Sequence, residues 1–337
     1  MTLNLDIETE DSLRQALLRM GLISDGEHAS FTPLTGGVSS LIVKVDTPRG
    51  ALCLKRALPK LKVSRDWFAP VERNAAEIAW MRVAESCVPG AVPQILGEDP
   101  DTHTFAMDYL DSDAYAVWKA QLLSGCIEQH TARAVAVTMA KIHAATAGRD
   151  DMRQRFANDA QFAALRLEPY LEATAHAHPD LAAQLEGLRV RTASTKNVLV
   201  HGDISPKNIL VGAGGIVLLD AECAWYGDPA FDLAFCLNHL ILKSALDARW
   251  MNALRACWQA IVDSYFPVVV WEDRAGLDAR TAALLPGLLL ARIDGKSPVE
   301  YFADETVRNR VRHVARAALA APPPSLAALW RSWEEGR

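Results

Sequence analysis

The sequence predicts an α+β chain with two lobes, a small β-rich one first and a larger, mostly helical one after it. Three observations carry this. Residues 31–56 (FTPLTGGVSSLIVKVDTPRGALCLKR) alternate at strand period between Gly-containing turns. Beyond residue 113 the apolar pattern turns helical. Within that helical part, VLVHGDISPKNILVGAGGIVLLD (198–220) inserts three short β-branched runs. At 337 residues the chain is long enough for two lobes. We place the first at 1–107, a hinge at 108–113 and the second at 114–337.

Composition narrows the function classes. Half the residues are hydrophobic, 23% are charged and the formal net charge is −6. This is ordinary for a soluble globular protein and offers no basic patch to a nucleic acid. The start, MTLNLDIETEDSLRQ, is acidic and lacks the pattern of a signal peptide. The longest apolar run, ALLPGLLLA (283–291), is too short for a membrane span and is interrupted by Pro286-Gly287. Neither a membrane nor a nucleic-acid partner is expected. The six cysteines are scattered without a CxxC pair, which suits reduced thiols in a cytoplasmic protein. His176 and His178 read as a solvated loop rather than as metal ligands.

In chain order, residues 6–22 form an amphipathic helix with Leu13, Leu17 and Leu18 on one side and Gly21 at its end. Strands follow from 31, at 41–46 and at 51–55. Thr35-Gly36-Gly37-Val38-Ser39-Ser40 between the first two is either a plain hairpin turn or a phosphate-binding loop. Its glycines would admit backbone N–H groups close to an anion, and Ser39 and Ser40 add hydroxyls. Alternation puts Lys55 and Cys53 on one face of their strand; Lys55 is then either an exposed edge residue or a cation that needs an anionic partner. Residues 71–86 are helical and carry two candidate partners, Glu72 and Glu77. Strands at 94–96 and 105–111 lead to the hinge, Asp108-Tyr109-Leu110. Helices are expected at 131–146, 160–175, 179–190, 232–244, 249–265, 278–292, 303–320 and 324–335, with a turn and a helix start at 293–302.

The inserted unit reads H-x-D-x-x-x-x-N, with Asp203 and Asn208 five apart and Asp220 closing an apolar strand. Phosphoryl transfer needs a carboxylate to orient the attacking hydroxyl, and oxygen ligands to hold Mg²⁺ against nucleotide phosphates. Asp203, Asn208 and Asp220 match those roles in order and spacing. The Gly-Gly turn, the strand lysine, the helix glutamate and the hinge precede them in the order such a site requires.

HGDISPKNIL resembles the HGDxxxxN loop of aminoglycoside phosphotransferases and choline-kinase-like enzymes, which have a bilobal protein-kinase-like fold and phosphorylate small-molecule hydroxyls. Gly202 stands where protein kinases carry arginine. The chain departs from the pattern at Ser205-Pro206-Lys207, where the family often has His-Pro-Gly. The Asp-x-Glu of DAECAWYGDPAFDLA and the segment KRALPKLKVSRDW are similar to the methylthioribose kinase branch.

The resemblance implies ATP and Mg²⁺ as cofactors and a small-molecule hydroxyl as substrate. Asp203 would be catalytic, and Asn208, Asp220 and Glu222 would serve the metal. Gly36, Gly37, Ser39 and Ser40 would cover the phosphates, Lys55 positioned by Glu77 would hold them, and Asp108 and Leu110 would meet the nucleotide at the hinge. Asp232 would brace the catalytic loop, and it also suits a helix N-cap. Arg292 would bind either the substrate or the frame of its own lobe. The expected acceptor is a sugar, amino sugar or polyol-like metabolite first and an aminoglycoside second. The alternative from another class is a nucleotide-binding pseudokinase or regulatory module.

Overall fold

A computed structural model of the chain describes residues 5–34, 39–59 and 70–336. It divides into two compact units, Met1–Tyr115 and Ala116–Arg337, the first β-rich and the second mostly helical.

The first unit is built on one five-stranded antiparallel sheet: β1 (Ser30–Pro33), β2 (Ser40–Thr47), β3 (Gly50–Ala57), β4 (Ile95–Asp99) and β5 (Thr104–Asp108), in the order β1-β2-β3-β5-β4. Pro48-Arg49 turns β2 into β3, with Thr47 opposite Gly50. Val43, Val45, Leu52, Leu54 and Ala106 share a core with Leu13 and Leu17 of helix α1 (Ile7–Arg19). Asp6 caps that helix by accepting from the Thr9 N–H at 2.7 Å. Helix α2 (Arg73–Cys87) supplies Glu77 to Lys55. Because β3 lies inside the sheet, Leu52 through Lys55 are all buried, where the sequence pattern implied a half-buried strand.

The second unit opens with β6 (Ala116–Val117) and α3 (Trp118–Leu123), followed by α4 (Gln129–Thr146), α5 (Asp150–Arg155) and α6 (Asp159–Phe162). A π-helical stretch, Ala163–Glu172, continues α6 and contains Pro169, whose missing N–H removes one rung of the usual ladder. Then come α7 (Ala173–Ala177), α8 (Ala182–Ser194), β7 (Val198–Val200), β8 (Ile209–Gly212), β9 (Gly215–Leu218) and β10 (Trp225–Gly227). Strand β8 pairs with β6 and β9, and β7 pairs with β10. Helices α9 (Pro229–Ser244), α10 (Met251–Tyr265), α11 (Arg274–Asp294), α12 (Glu305–Ala320) and α13 (Leu326–Glu335) complete the unit.

Three local expectations change. No helix starts within 295–304; α12 begins at Glu305, capped by Asp304. Helix α11 runs straight through Pro286-Gly287, and a Cβ at Gly287 would stand 3.1 Å from Leu171 and Leu188. The glycine therefore marks close helix packing rather than a break. His178 is buried and contacts Asp294 at 2.8 Å and Arg316 at 2.7 Å, whereas His176 is exposed. His178 thus belongs to a charged network and not to a solvated loop. Among the described residues, no helix is long and apolar enough to cross a membrane.

Candidate active site

Strands β7 and β8 hold the loop 201–208 from both ends, and a set of hydrogen bonds fixes its shape. The Asp232 carboxylate accepts the N–H of His201 at 2.7 Å and of Gly202 at 2.8 Å. Asp232 lies in the first turn of α9; the N-cap of that helix is Asp228, which accepts from the Ala230 N–H at 3.0 Å. The capping role considered for Asp232 therefore falls to Asp228, and Asp232 serves the loop. His143 places Nε2 3.3 Å from Asp232 and Nδ1 2.7 Å from the Tyr265 hydroxyl, a structural position.

Gly202 is required by both conformation and space. Its φ is +78°, and a Cβ there would stand 2.6 Å from the Cys223 carbonyl oxygen. His201 Nδ1 accepts from the Asp203 N–H at 3.1 Å, so its proton sits on Nε2, which donates to the Leu219 carbonyl at 3.1 Å. Burial lowers the His201 pKa and favours this neutral form, against the nearby Asp232, Asp203 and Asp220 charges. The Leu219 N–H in turn donates to the Asn208 carbonyl at 2.9 Å. The catalytic-type loop and the strand end that carries Asp220 are thereby stitched together. Asp220 itself takes φ +66°, a left-handed conformation that aspartate tolerates better than most residues.

Asp203 is buried and carries two ion pairs, both closing on Oδ2: Arg166 Nη2 at 2.8 Å and Lys207 Nζ at 3.3 Å. Burial opposes its ionisation, but the Lys207 and Arg166 cations outweigh that and hold the carboxyl below its usual range. Arg166 also donates through Nε to the Gly202 carbonyl at 2.5 Å. In the sequence Lys207 stands out only as part of a departure from a motif, and Arg166 has no assigned role. The signal available for Arg166 was a lone cation inside the apolar run LRL.

Asn208 donates through Nδ2 to the Asp203 carbonyl at 3.2 Å, which turns its amide oxygen the other way. Glu222 is buried, and its carbonyl accepts from Gln161 at 2.5 Å. Among the described residues, no group of three or more His, Cys, Asp or Glu side chains is gathered to hold a metal. An Asn amide oxygen with one or two carboxylates is nonetheless a donor set that suits Mg²⁺, because that ion keeps waters and phosphate oxygens in its shell.

In the first unit, Lys55 Nζ stands 2.7 Å from Glu77 Oε1, with both side chains almost fully buried. Glu72 precedes α2 and makes no side-chain cap. Ser39 and Ser40 are buried at the start of β2. The Ser39 carbonyl accepts from Arg73, which also donates to the Leu58 and Pro70 carbonyls at 2.8 Å each. Gly36 and Gly37 lie outside the described residues. Asp108 ends β5 and accepts from the Gln94 N–H at 3.2 Å; Leu110 follows, half-buried. Arg292 is held within the second unit, with Nη1 2.8 Å from Ser297 Oγ and 3.4 Å from the Tyr170 hydroxyl.

The model of the phosphotransferase enzyme family (APH) matches residues 30–265. The methylthioribose kinase of Erwinia tasmaniensis is 25% identical over 320 residues, which cover 82% of this chain and 75% of that protein. The methylthioribose kinase of Geobacillus kaustophilus is 25% identical over 271 residues, covering 70% and 66%. Among solved structures, a choline/ethanolamine kinase family protein from Mesorhizobium loti aligns with a TM-score of 0.55 at 17% identity, over 98% of this chain and 100% of that one. An amicoumacin kinase in complex with AMP-PNP, Ca²⁺ and Ami aligns with a TM-score of 0.62 at 14% identity, over 96% of each. The two structural matches describe a shared fold.

Proposed function

The chain belongs to the phosphotransferase enzyme family, and from that premise we propose that it is an ATP- and Mg²⁺-dependent kinase of small-molecule hydroxyls, with a sugar, amino sugar or polyol-like metabolite as acceptor. The observation that carries the proposal is the buried Asp203, held ionised by Arg166 and Lys207 on a loop braced by Asp232. The methylthioribose kinases among its relatives support a sugar-type acceptor.

Both ion pairs of Asp203 close on Oδ2, which leaves Oδ1 to accept from the acceptor hydroxyl. A carboxylate with a lowered pKa is a weak base, but a loose phosphoryl transition state asks mainly for orientation of the hydroxyl. Lys55, paired with Glu77, binds nucleotide phosphate oxygens, and Ser39 and Ser40 add hydroxyl donors there. Asn208 and Asp220, with Glu222 beside them, would hold Mg²⁺, which neutralises phosphate charge when bound.

An ATP-consumption screen over sugars, aminoglycosides, choline analogues and amino alcohols tests the activity. Asp203→Ala should abolish turnover of any acceptor found and leave affinity for a non-hydrolysable ATP analogue within about twofold, because Asp203 contributes orientation of the acceptor rather than nucleotide binding. Turnover comparable to wild type in that variant would sink the assignment. Nucleotide binding without consumption across the panel would favour a regulatory module.

A further inference from the structure

Helix α9 carries Phe235, His239 and Lys243 at successive i+4 positions, so the three form one stripe. The far end of that stripe is chemically incomplete. Lys243 is 1% exposed, yet its ammonium makes no hydrogen bond or ion pair among the described residues; the Tyr301 ring lies 5.2 Å from Nζ. His239 is buried, and its Nδ1 lacks a partner. Arg292 Nε and the Tyr301 hydroxyl are likewise buried and without partners. A nearby Lys119–Glu300 pair is self-neutralising, and Arg292 spends Nη1 on the neutral Ser297. Two cations, a hydroxyl donor and an imidazole thus converge, and the carboxylate that acts on Lys243, Glu300, is already paired with Lys119.

A buried, uncompensated cation is among the most costly features a fold can keep. Burial, and then the charges of Lys119 and Arg292, push the Lys243 ammonium down to about 7; burial and the Lys243 and Arg292 charges likewise lower His239. A bound anion would remove the main electrostatic part of that penalty. The site also adjoins the proposed catalytic carboxylate. Arg166, paired with Asp203, lies over the Tyr170 and Phe235 rings at 5.9 and 5.7 Å. Phe235 is 5.8 Å from the His239 ring, and the Tyr170 hydroxyl is 3.4 Å from Arg292.

We propose that the acceptor carries an anionic group, a carboxylate or a phosphate, and that Lys243 holds it together with His239, Arg292 and Tyr301 while a hydroxyl of the same molecule reaches Asp203. This rests on the kinase reading for its second half and on the buried donors alone for its first. It excludes purely cationic acceptors and narrows the polyol class to acidic members.

Calorimetry and ATP consumption with the full chain, using the matched sets glucose, gluconate and glucose 6-phosphate, and ribose, ribonate and ribose 5-phosphate, test it. Anionic members should bind at least about tenfold more tightly than their neutral counterparts, as expected for one charge-assisted buried contact. The carboxylate and phosphate arms decide which anion the site takes. Lys243→Met should erase the preference and raise the melting temperature of the free protein by removing the uncompensated charge, while Lys243→Arg restores part of the preference. Equal affinity across each set, a preference that survives Lys243→Met, or no Lys243-dependent stabilisation by acetate, phosphate or the anionic sugars would overturn the anion site. Anion binding that depends on Lys243 without ATP consumption would overturn the kinase reading and leave the anion site standing. Turnover of neutral sugars with no anion preference would do the reverse.

Discussion

Asp232 gives the sharpest test of how the catalytic-type loop is held. Its carboxylate is 1% exposed and accepts the His201 and Gly202 N–H groups at 2.7 and 2.8 Å. Asn at this position preserves volume but turns one acceptor into an NH₂ donor facing an N–H. One charge-assisted bond is lost and one buried N–H is orphaned, a cost of about 2–3 kcal/mol. Ala removes both acceptors and the contact with His143, a cost of about 4 kcal/mol or more. The loop should open locally before the unit unfolds as a whole. Hydrogen exchange at the His201 and Gly202 amides reads that opening directly, and a loss of about 2 kcal/mol is a roughly 30-fold rise in their exchange rates. Turnover should fall in step, since Asp203 follows Gly202 in the chain. If Asp232→Asn leaves both amides exchanging within about twofold of wild type, well below that expectation, the bracing role is refuted.

Gly202→Ala should cost about 2–4 kcal/mol, because the added Cβ meets the Cys223 carbonyl at 2.6 Å and φ is +78°. Gly187→Ala in α8, where a Cβ meets nothing within 4 Å, should instead stabilise by about 0.5–1 kcal/mol; thermal unfolding compares the two. Lys55→Met should weaken nucleotide binding and destabilise by about 3 kcal/mol through the buried Glu77, and adding Glu77→Gln should recover at least about 1 kcal/mol. Additive single-variant effects would argue against coupling across their 2.7 Å contact. The folded pKa of Asp203 lies below its unfolded value, so its contribution to stability is present above the unfolded pKa and lost as pH falls through the folded one. Between about pH 5 and 8 Asp203 therefore stays ionised, and Lys207→Met, which removes the larger of the two cationic effects, should raise the Asp203 pKa and move the acid limb of kcat upward; an acid limb that stays put would refute the pairing.

Strand and helix periodicity made the architecture legible, because alternation and 3.6-residue spacing are local properties of the chain. The spacing of Asp203, Asn208 and Asp220 was legible for the same reason: one short strand–loop–strand unit carries all three. The partner of Lys55 was a different matter. Glu72 and Glu77 both lie near the start of α2, and the approach of the helix to β3 selected Glu77 at 2.7 Å. The burial of His178 among Asp294 and Arg316 depended in the same way on α11 and α12 folding back onto the segment after α7.

Sequence by itself determined the class of the fold, the order of its elements and the residue types of the candidate site, all of which follow from short-range pattern. Tertiary structure alone brought Arg166 to Asp203 and decided which donors are left unsatisfied. Arg166 reaches Gly202 across 36 residues of chain and pairs with the next residue, Asp203, and Lys243 meets Tyr301 from another segment altogether. Those contacts set the charge around the carboxylate and the chemistry of the neighbouring donor cluster. Spacing along the chain does not encode them, since burial and pairing depend on elements that meet after the backbone has folded.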